Sequence, residues 1–475
     1  MKIAVPRETA PGETRVALTP QAATALIADG VEIVVQAGAG EGSSILDAAF
    51  TEAGATIAAD AAALYGQADL VLRVGRPTDE EIGMLRRGTI LIGTLGTLSN
   101  PELARRLADA GVTAISMDAI PRITRAQSMD TLSSQATVAG YKAVLLAADR
   151  LPKFMPLLTT AAGTVRPARG IIMGAGVAGL MAIGTARRLG AVVEATDVRP
   201  VVKEQVQSLG ATFIEVEMTN EEKAGAETAG GYAGEMSDDY KRRQAELIAE
   251  RVKEADFVIT TALIPGRPAP RLITDAMVAS MKPGSVIVDM AAEAGGNVEG
   301  TVAGEEVISH GVRIIGLTNL PAMMPGSATQ MYARNIQTLL KHLIKDGSVT
   351  LDLTDEITRG ATITHDGKVV SEPVARALGL EAPAPPAPLK MATICGMAVI
   401  GTRRAPITPA TLPIGIPTAR IQTVEKPPSR SRNSVMKTHS TTIAMPVAAR
   451  RFPRRALVGE ARNFRPRMKV TDPTR

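Results

Sequence analysis

The residues of this sequence best placed to do chemistry are three glycines and an acid. Gly174, Gly176 and Gly179 stand at the spacing G-x-G-x-x-G, and Asp197 closes the apolar run that follows. In that pattern the first glycine makes a tight turn, the second lets a pyrophosphate approach the backbone, and the third lets helix and strand pack closely. The diphosphate then rests on a helix N-terminus, where free N–H groups and the helix dipole favour an anion. A carboxylate at Asp197 can accept hydrogen bonds from both hydroxyls of an adenosine ribose and would repel a 2′-phosphate, which predicts NAD rather than NADP. Arg199 pulls the other way, because a guanidinium in this turn can hold a 2′-phosphate. His310, His342, His365 and His439 show no metal-ligand spacing, so no metal site is expected, and Cys395 alone excludes a disulfide framework and fits a reducing compartment.

Positioning those residues takes a strand, a turn, a helix and a second parallel strand, and Val165 to Asp197 has that pattern. Further strands of this unit are expected at Ala211 to Val216, Asp256 to Thr261, Ser285 to Asp289 and Val312 to Leu317. Between them Glu217 to Glu246 is charged and Gly-rich, and reads as a mobile surface loop over the cofactor. Residues 1 to about 125 alternate strand and helix patterns as well, with strands at Lys2 to Val5, Val31 to Gln36, Asp69 to Val74, Thr89 to Thr94 and Val112 to Ser116. The stretch Gly38-Ala39-Gly40-Glu41-Gly42 lacks the Lys-Ser/Thr of a phosphate loop and reads as a plain turn. Long helices are expected at Thr131 to Arg150 and Ala328 to Lys345. They bracket the glycine-bearing unit, so the fold class read here is α/β, with two Rossmann-like doubly wound domains, one inserted into the other and joined by two long helices. The predicted division is 1–130 with 328–380 for the first domain, 131–327 for the second, and 381–475 for a Pro-rich linker and a disordered tail.

Composition narrows the function classes. The formal net charge of +5 averages two unlike parts. Residues Lys390 to Arg475 hold 17 Lys/Arg against 3 Asp/Glu, which leaves 36 against 45 in the body, a net of −9. With only 2% aromatic residues and no Trp, that acidic body gives nucleic-acid binding no support. No run nears the roughly 18 apolar residues that span a bilayer. The opening MKIAVPRE enters a strand without a signal-peptide core, so a cytoplasmic location is expected.

Two separated signatures carry a family resemblance. Ala4-Val5-Pro6-Arg7-Glu8 with Gly12-Glu13-Thr14-Arg15-Val16-Ala17-Leu18-Thr19-Pro20, and the stretch from Gly174 to Asp197, resemble those shared by alanine dehydrogenase and the NAD-binding subunit of proton-translocating nicotinamide nucleotide transhydrogenase. The resemblance covers residues 1 to 380. An alanine dehydrogenase carries a lysine and a histidine in the first domain and an aspartate in the second. The matching segments here, Leu72 to Pro77, Leu95-Gly96-Thr97 and Ala292 to Gly296, put Gly96 at the histidine position and Glu293 at the aspartate position, and lack the lysine. Without an acid–base group near pKa 7, oxidation of an amino acid has little support, and Arg15 reads as structural.

Pro121 to Gln135 is similar instead to the transhydrogenase loop that positions a dihydronicotinamide ring. The resemblance implies Arg122, Gln127 and Asp130 in that role, with Ser133 close behind: Arg122 and Asp130 pair to orient the loop, Gln127 bridges to a second nucleotide, and Asp130 or Ser133 bonds the carboxamide. Asp130 is also a candidate helix N-cap. For the cofactor the resemblance adds Val177 at the pyrophosphate, Val198 and Arg199 beside Asp197 at the ribose, Gly230 or Gly231 in the loop, and Thr261-Ala262-Leu263 near the adenine. It implies hydride transfer between NADH and NADP(H) on a partner subunit, a homodimer, and transmembrane partner subunits that move a proton and hold the chain at the inner face of the cytoplasmic membrane. The alternatives are an amino-acid dehydrogenase of the alanine type and a non-catalytic NAD-sensing module.

Overall fold

Short aliphatic runs buried on both faces assemble into two largely parallel sheets, the arrangement expected when strands are covered by helices above and below. The computed structural model describes residues 1–226, 234, 236–264, 266–345 and 347–381. Across its width the first sheet runs Lys368–Val369, Thr362–His365, Thr113–Ser116, Ile90–Gly93, Leu70–Leu72, Lys2–Val5, Glu32–Gln36 and Thr56–Ala58. The second runs Thr212–Phe213, Val192–Thr196, Arg169–Met173, Phe257–Thr260, Val286–Asp289, Val312–Ile315 and Glu306–Ser309. In each, the chain starts in the middle, works to one edge, then returns beside the first strand and works toward the other, in the second sheet reaching the edge strand Glu306–Ser309 before filling in Val312–Ile315 beside Val286–Asp289. This is the doubly wound order, in which ligands bind at the carboxyl ends of the two strands flanking the reversal.

In the second sheet the reversal falls between Arg169–Met173 and Phe257–Thr260, which pair in parallel from Gly170 opposite Phe257 to Met173 opposite Thr260. In the first it falls between Lys2–Val5 and Leu70–Leu72. The pairs Thr362–His365 and Glu306–Ser309 join their neighbours antiparallel.

Two long helices link the sheets. Thr131–Arg150 is N-capped by Asp130, whose carboxylate accepts from Ser133 N. Its later turns put Ala143, Val144 and Ala147 into a core with Ile172, Val193 and Ile259 of the second sheet and Ile183 of helix Val177–Arg188. Pro325–Leu343, which starts three residues earlier than its sequence pattern indicates, sends Tyr332, Ile336, Leu339 and Leu340 into the core of the first with Ile3, Val5, Leu70 and Ile92. Among the described residues no helix is long and apolar enough to cross a membrane.

The expectation of one mobile loop from Glu217 to Glu246 is corrected. Helices occupy Asn220–Gly225 and Asp238–Val252. The charges that make this stretch read as a loop lie on an exposed helix face, where Arg242 pairs with Asp239 and Glu246 at helical spacing. Tyr240, Ile248 and Val252 form its buried side. The strand expected at Ala211 to Val216 shrinks to Thr212–Phe213 at the sheet edge.

Candidate functional site

The glycine turn has the shape its sequence implies. Gly174 has φ +99° and stands against Thr261, whose Oγ1 lies 2.5 Å from where a Cβ would be. Gly179 abuts the carbonyl of Gly174, with only 1.8 Å to an ideal Cβ, so any side chain would force the helix off the strand. Gly176, the N-cap of helix Val177–Arg188, carries no side-chain cap. The first-turn N–H groups of that helix are the unsatisfied donors to which an anion binds. The two strand ends at the reversal are stitched together, Thr261 N donating to Met173 O at 2.8 Å and Thr261 Oγ1 to Gly174 O at 3.1 Å. A pyrophosphate therefore fits this cradle.

Around it opens a cleft of about 1440 Å³, lined from the side of the first sheet by Val74 and Thr94 and from that of the second by Met173, Thr196 and Met290. Gly174, Gly176, Val177, Asp197, Val198, Arg199, Thr261, Ala262 and Leu263 line it, while Gly179 sits behind in the helix–strand contact. Gly230 and Gly231 lie outside the described residues. From the segment Pro121 to Gln135, Arg122 and Ser133 line the cleft. Gln127 is exposed and does not line the cleft. Asp130 stands behind Ser133, receiving Ser133 N at 2.9 Å and Ser133 Oγ at 2.6 Å. Asp130 thus holds the serine and caps the helix with one carboxylate, both of its oxygens being engaged by Ser133.

Arg199 stands beside Asp197, where the resemblance puts it. Rather than standing ready for a 2′-phosphate, its guanidinium folds back on Asp197, with Nε to Oδ1 at 3.0 Å and Nη2 to Oδ2 at 2.8 Å. The reason is local: the turn after the strand sends the Arg199 side chain back over a carboxylate only two residues away, which is nearly buried.

Several residues that motif reading passes over build the walls. Asn297, fully buried, accepts from Ala262 N and donates to Ala262 O and Pro270 O, which fixes the backbone at Ala262. Asp289, also fully buried, gathers Thr260 Oγ1, Ala291 N, Val298 N and Thr301 Oγ1 and so shapes the turn beside Ala292 to Gly296. Their only signal in the sequence is a lone polar residue at a strand end or beside a glycine pair.

At the root of the cleft Arg15 is consumed by its neighbours. Nε and Nη2 grip Glu13, Nη1 donates to Gln135 Oε1 at 2.8 Å, and Nη2 reaches Asn319 Oδ1 at 3.0 Å. Asn319, in the left-handed region at φ +50°, returns a bond from Nδ2 to Glu13. Burial alone would raise the Glu13 carboxyl, but the Arg15 guanidinium and the Asn319 amide hold it below the usual carboxylate range. This knot ties the segment at 13–15 to the starts of both long helices, because Gln135 also donates to Ala328 O.

The corresponding position of the first sheet is plugged from within. Glu8, three residues beyond strand Lys2–Val5, accepts from Val74 N at 2.6 Å and from Arg73 Nη2 at 3.1 Å. Arg73 is completely buried and also meets Glu81 and the Tyr65 hydroxyl. Burial would lower the Arg73 guanidinium, but Glu8, Tyr65 and Glu81 drive it further above its ordinary value. Nearby, Gly96 has the Arg76 guanidinium lying where its side chain would be, Nη2 being 2.5 Å from an ideal Cβ. Among the described residues lining the cleft there is no histidine, and the one lysine, Lys241, belongs to helix Asp238–Val252, its Nζ turned to Asp238 at 3.3 Å.

Doubly wound sheets, a glycine cradle and an acid at the next strand end together define a two-lobed α/β protein of the dinucleotide-binding class. The model of the alanine dehydrogenase/PNT N-terminal domain matches residues 4–139 and that of the alanine dehydrogenase/PNT C-terminal domain residues 143–372; the chain belongs to the alanine dehydrogenase/PNT family. It is 48% identical over 377 residues to an NAD(P) transhydrogenase subunit alpha chain of Rhodospirillum rubrum, covering 78% of this chain and 98% of the relative. It is 34% identical over 388 residues to alanine dehydrogenase of Halomonas elongata, covering 80% and 98%. The crystal structure of transhydrogenase from Sinorhizobium meliloti superposes with a TM-score of 0.71 at 45% identity, over 78% of this chain and all of that one.

Proposed function

We propose that this chain is the NAD(H)-binding subunit of a proton-translocating transhydrogenase, exchanging a hydride between NADH in its cleft and NADP+ held by a separate subunit. The observation that carries the reading is the composition of the cleft beside the cradle: Gly96 stands at the histidine position under the Arg76 guanidinium, and Arg15 is spent on Glu13, Gln135 and Asn319. Amination of a keto acid needs a carboxylate anchor and a group to deliver a proton. Passing a hydride between two nicotinamides needs neither; it needs two rings held in contact with water excluded.

When bound, the dinucleotide supplies the hydride. The chain's own residues would hold and aim it: Gly174, Gly176 and Val177 at the pyrophosphate, Asp197 with Val198 at the ribose, and Thr261 to Leu263 at the adenine, their backbone set by Asn297. Arg122 and Ser133 would face the nicotinamide, with Asp130 holding Ser133 and the exposed Gln127 reaching toward a partner. Residues 1–130 with 328–380 would form one lobe and 131–327 the other. A homodimer, attached through NADP-binding and transmembrane subunits to the inner face of the cytoplasmic membrane, completes the proposal.

The test mixes the purified chain with NADH, NADP+ and the NADP-binding subunit from the same source. The account expects NADPH to form with the partner present and pyruvate, ammonia and NADH to give no turnover. Turnover of pyruvate would make the protein an amino-acid dehydrogenase, and NADH binding without any transfer would make it a sensing module.

A further inference from the structure

Asp197 is the residue expected to take the adenosine ribose, yet its carboxylate is saturated. Oδ1 accepts from Arg199 N at 2.8 Å and Arg199 Nε at 3.0 Å. Oδ2 accepts from Ala175 N at 2.7 Å and Arg199 Nη2 at 2.8 Å. An ionised carboxylate offers about four acceptor sites, so four donors leave no place for a hydroxyl. Two of the four are backbone N–H groups belonging to the glycine turn and to the turn after the strand, and they cannot withdraw without unmaking the fold around the cradle. The other two both come from one side chain.

The same guanidinium lies beside the cradle. Its Nη2 is 3.8 Å from where a Cβ of Gly176 would be, and Gly176 is the open position of the cradle. Asp197 is nearly buried at 5% side-chain exposure and Arg199 is mostly covered at 15%, so their contact is shielded from the screening that weakens surface pairs.

We propose that Arg199 is a latch on the dinucleotide site, a residue that sets affinity by competing with the adenosine ribose for Asp197. Binding exchanges two donors for two: Nε and Nη2 leave the carboxylate, and the two ribose hydroxyls take their places while Ala175 N and Arg199 N stay. Because only unlatched molecules bind, the apparent dissociation constant is the intrinsic one divided by the unlatched fraction. If roughly a tenth of molecules are unlatched, the latch weakens binding about tenfold. A subunit that must release its dinucleotide after every exchange gains turnover from such a contact.

The inference rests on the reading of this cleft as a NAD(H) site. Its test is a direct titration of NADH into the full chain, following nicotinamide fluorescence or heat, for the unaltered protein, Arg199→Met and Arg199→Lys. Methionine keeps the stem and removes the donors, and lysine can replace only one of the two contacts. Arg199→Met is expected to bind NADH three- to tenfold more tightly, with Arg199→Lys in between. Unchanged affinity in Arg199→Met would overturn the latch, and weaker binding would make Arg199 a ligand of the dinucleotide and overturn it equally. No NADH binding by the unaltered chain would instead defeat the underlying assignment of the cleft.

Discussion

Gly140 gives the sharpest handle on how the linking helix controls the cradle. It lies on the face of helix Thr131–Arg150 that presses on the start of helix Val177–Arg188, and a Cβ built on it would sit 2.1 Å from Ala178 O and 2.9 Å from Ala178 C and Cα. Carbon-to-oxygen contacts settle at about 3.3–3.6 Å, so Gly140→Ala must part the helices by about 1.2 Å. None of these atoms is the end of a flexible side chain; all three are backbone of Ala178, in the first turn after Gly176. Overpacking of this kind costs about 1–3 kcal/mol, which for a unit of this size lowers the melting temperature by about 2–12 °C. Losing one charge-assisted hydrogen bond to the pyrophosphate from the displaced turn costs about 1.5–3 kcal/mol, or a roughly ten- to hundredfold rise in Kd for NADH. Thermal melting and NADH titration of the purified variant read both. The control is Gly83→Ala, in helix Asp79–Met84 with nothing within 4 Å. It should bind NADH normally and melt no lower, since alanine is favoured over glycine inside a helix by about 0.5–1 kcal/mol. A Gly140→Ala protein with unchanged melting and affinity would refute the argument that this contact seats the cradle.

Other consequences follow from buried polar groups. Arg73→Met strands Glu8 and Glu81 in the first core and should cost about 3–5 kcal/mol in urea unfolding; a loss under about 1 kcal/mol would contradict the network. Asn335, nearly buried on helix Pro325–Leu343, donates to Ser128 O at 2.8 Å and receives Ser134 Oγ at 2.7 Å, so it holds the loop before Asp130 against the other linking helix. Asn335→Ala should lower stability by about 1–3 kcal/mol and raise proteolytic cutting between 122 and 130. Asp355 caps helix Glu356–Ala361. Burial would raise its carboxyl, but the Thr358 N–H, Arg125 and His342 overcome this and hold it down at about 2. Since the unfolded value is about 3.9, the stability it contributes is full above about pH 4 and is lost as pH falls toward 2. Unfolding of Asp355→Asn measured against the unaltered chain should show a gap at pH 7 that closes between pH 4 and 2.

The fold is legible in the sequence where periodicity and glycine placement are strong. The run from Ile171 through Gly179 announces strand, turn and helix because only glycine tolerates φ +99° at Gly174 and a 1.8 Å approach at Gly179. Lys2–Val5, Thr113–Ser116 and helix Thr131–Arg150 follow from apolar spacing in the same way. Helix Asp238–Val252 hides in the sequence because its core-facing residues, Tyr240, Ile248 and Val252, are few among many charges that composition reads as loop. Distances between remote positions are not legible at all. That Arg15 is spent on Glu13, Gln135 and Asn319, or that Arg199 closes over Asp197, depends on side-chain directions that no spacing rule encodes.

The central claim is that the cleft passes a hydride onward and titrates nothing of its own. NADH carrying deuterium at the transferring C4 position, incubated with NADP+, the chain and its NADP-binding partner, tests this most directly. The account predicts that the label is recovered at C4 of NADPH, with none released to water. Label found in alanine formed from pyruvate and ammonia would contradict it.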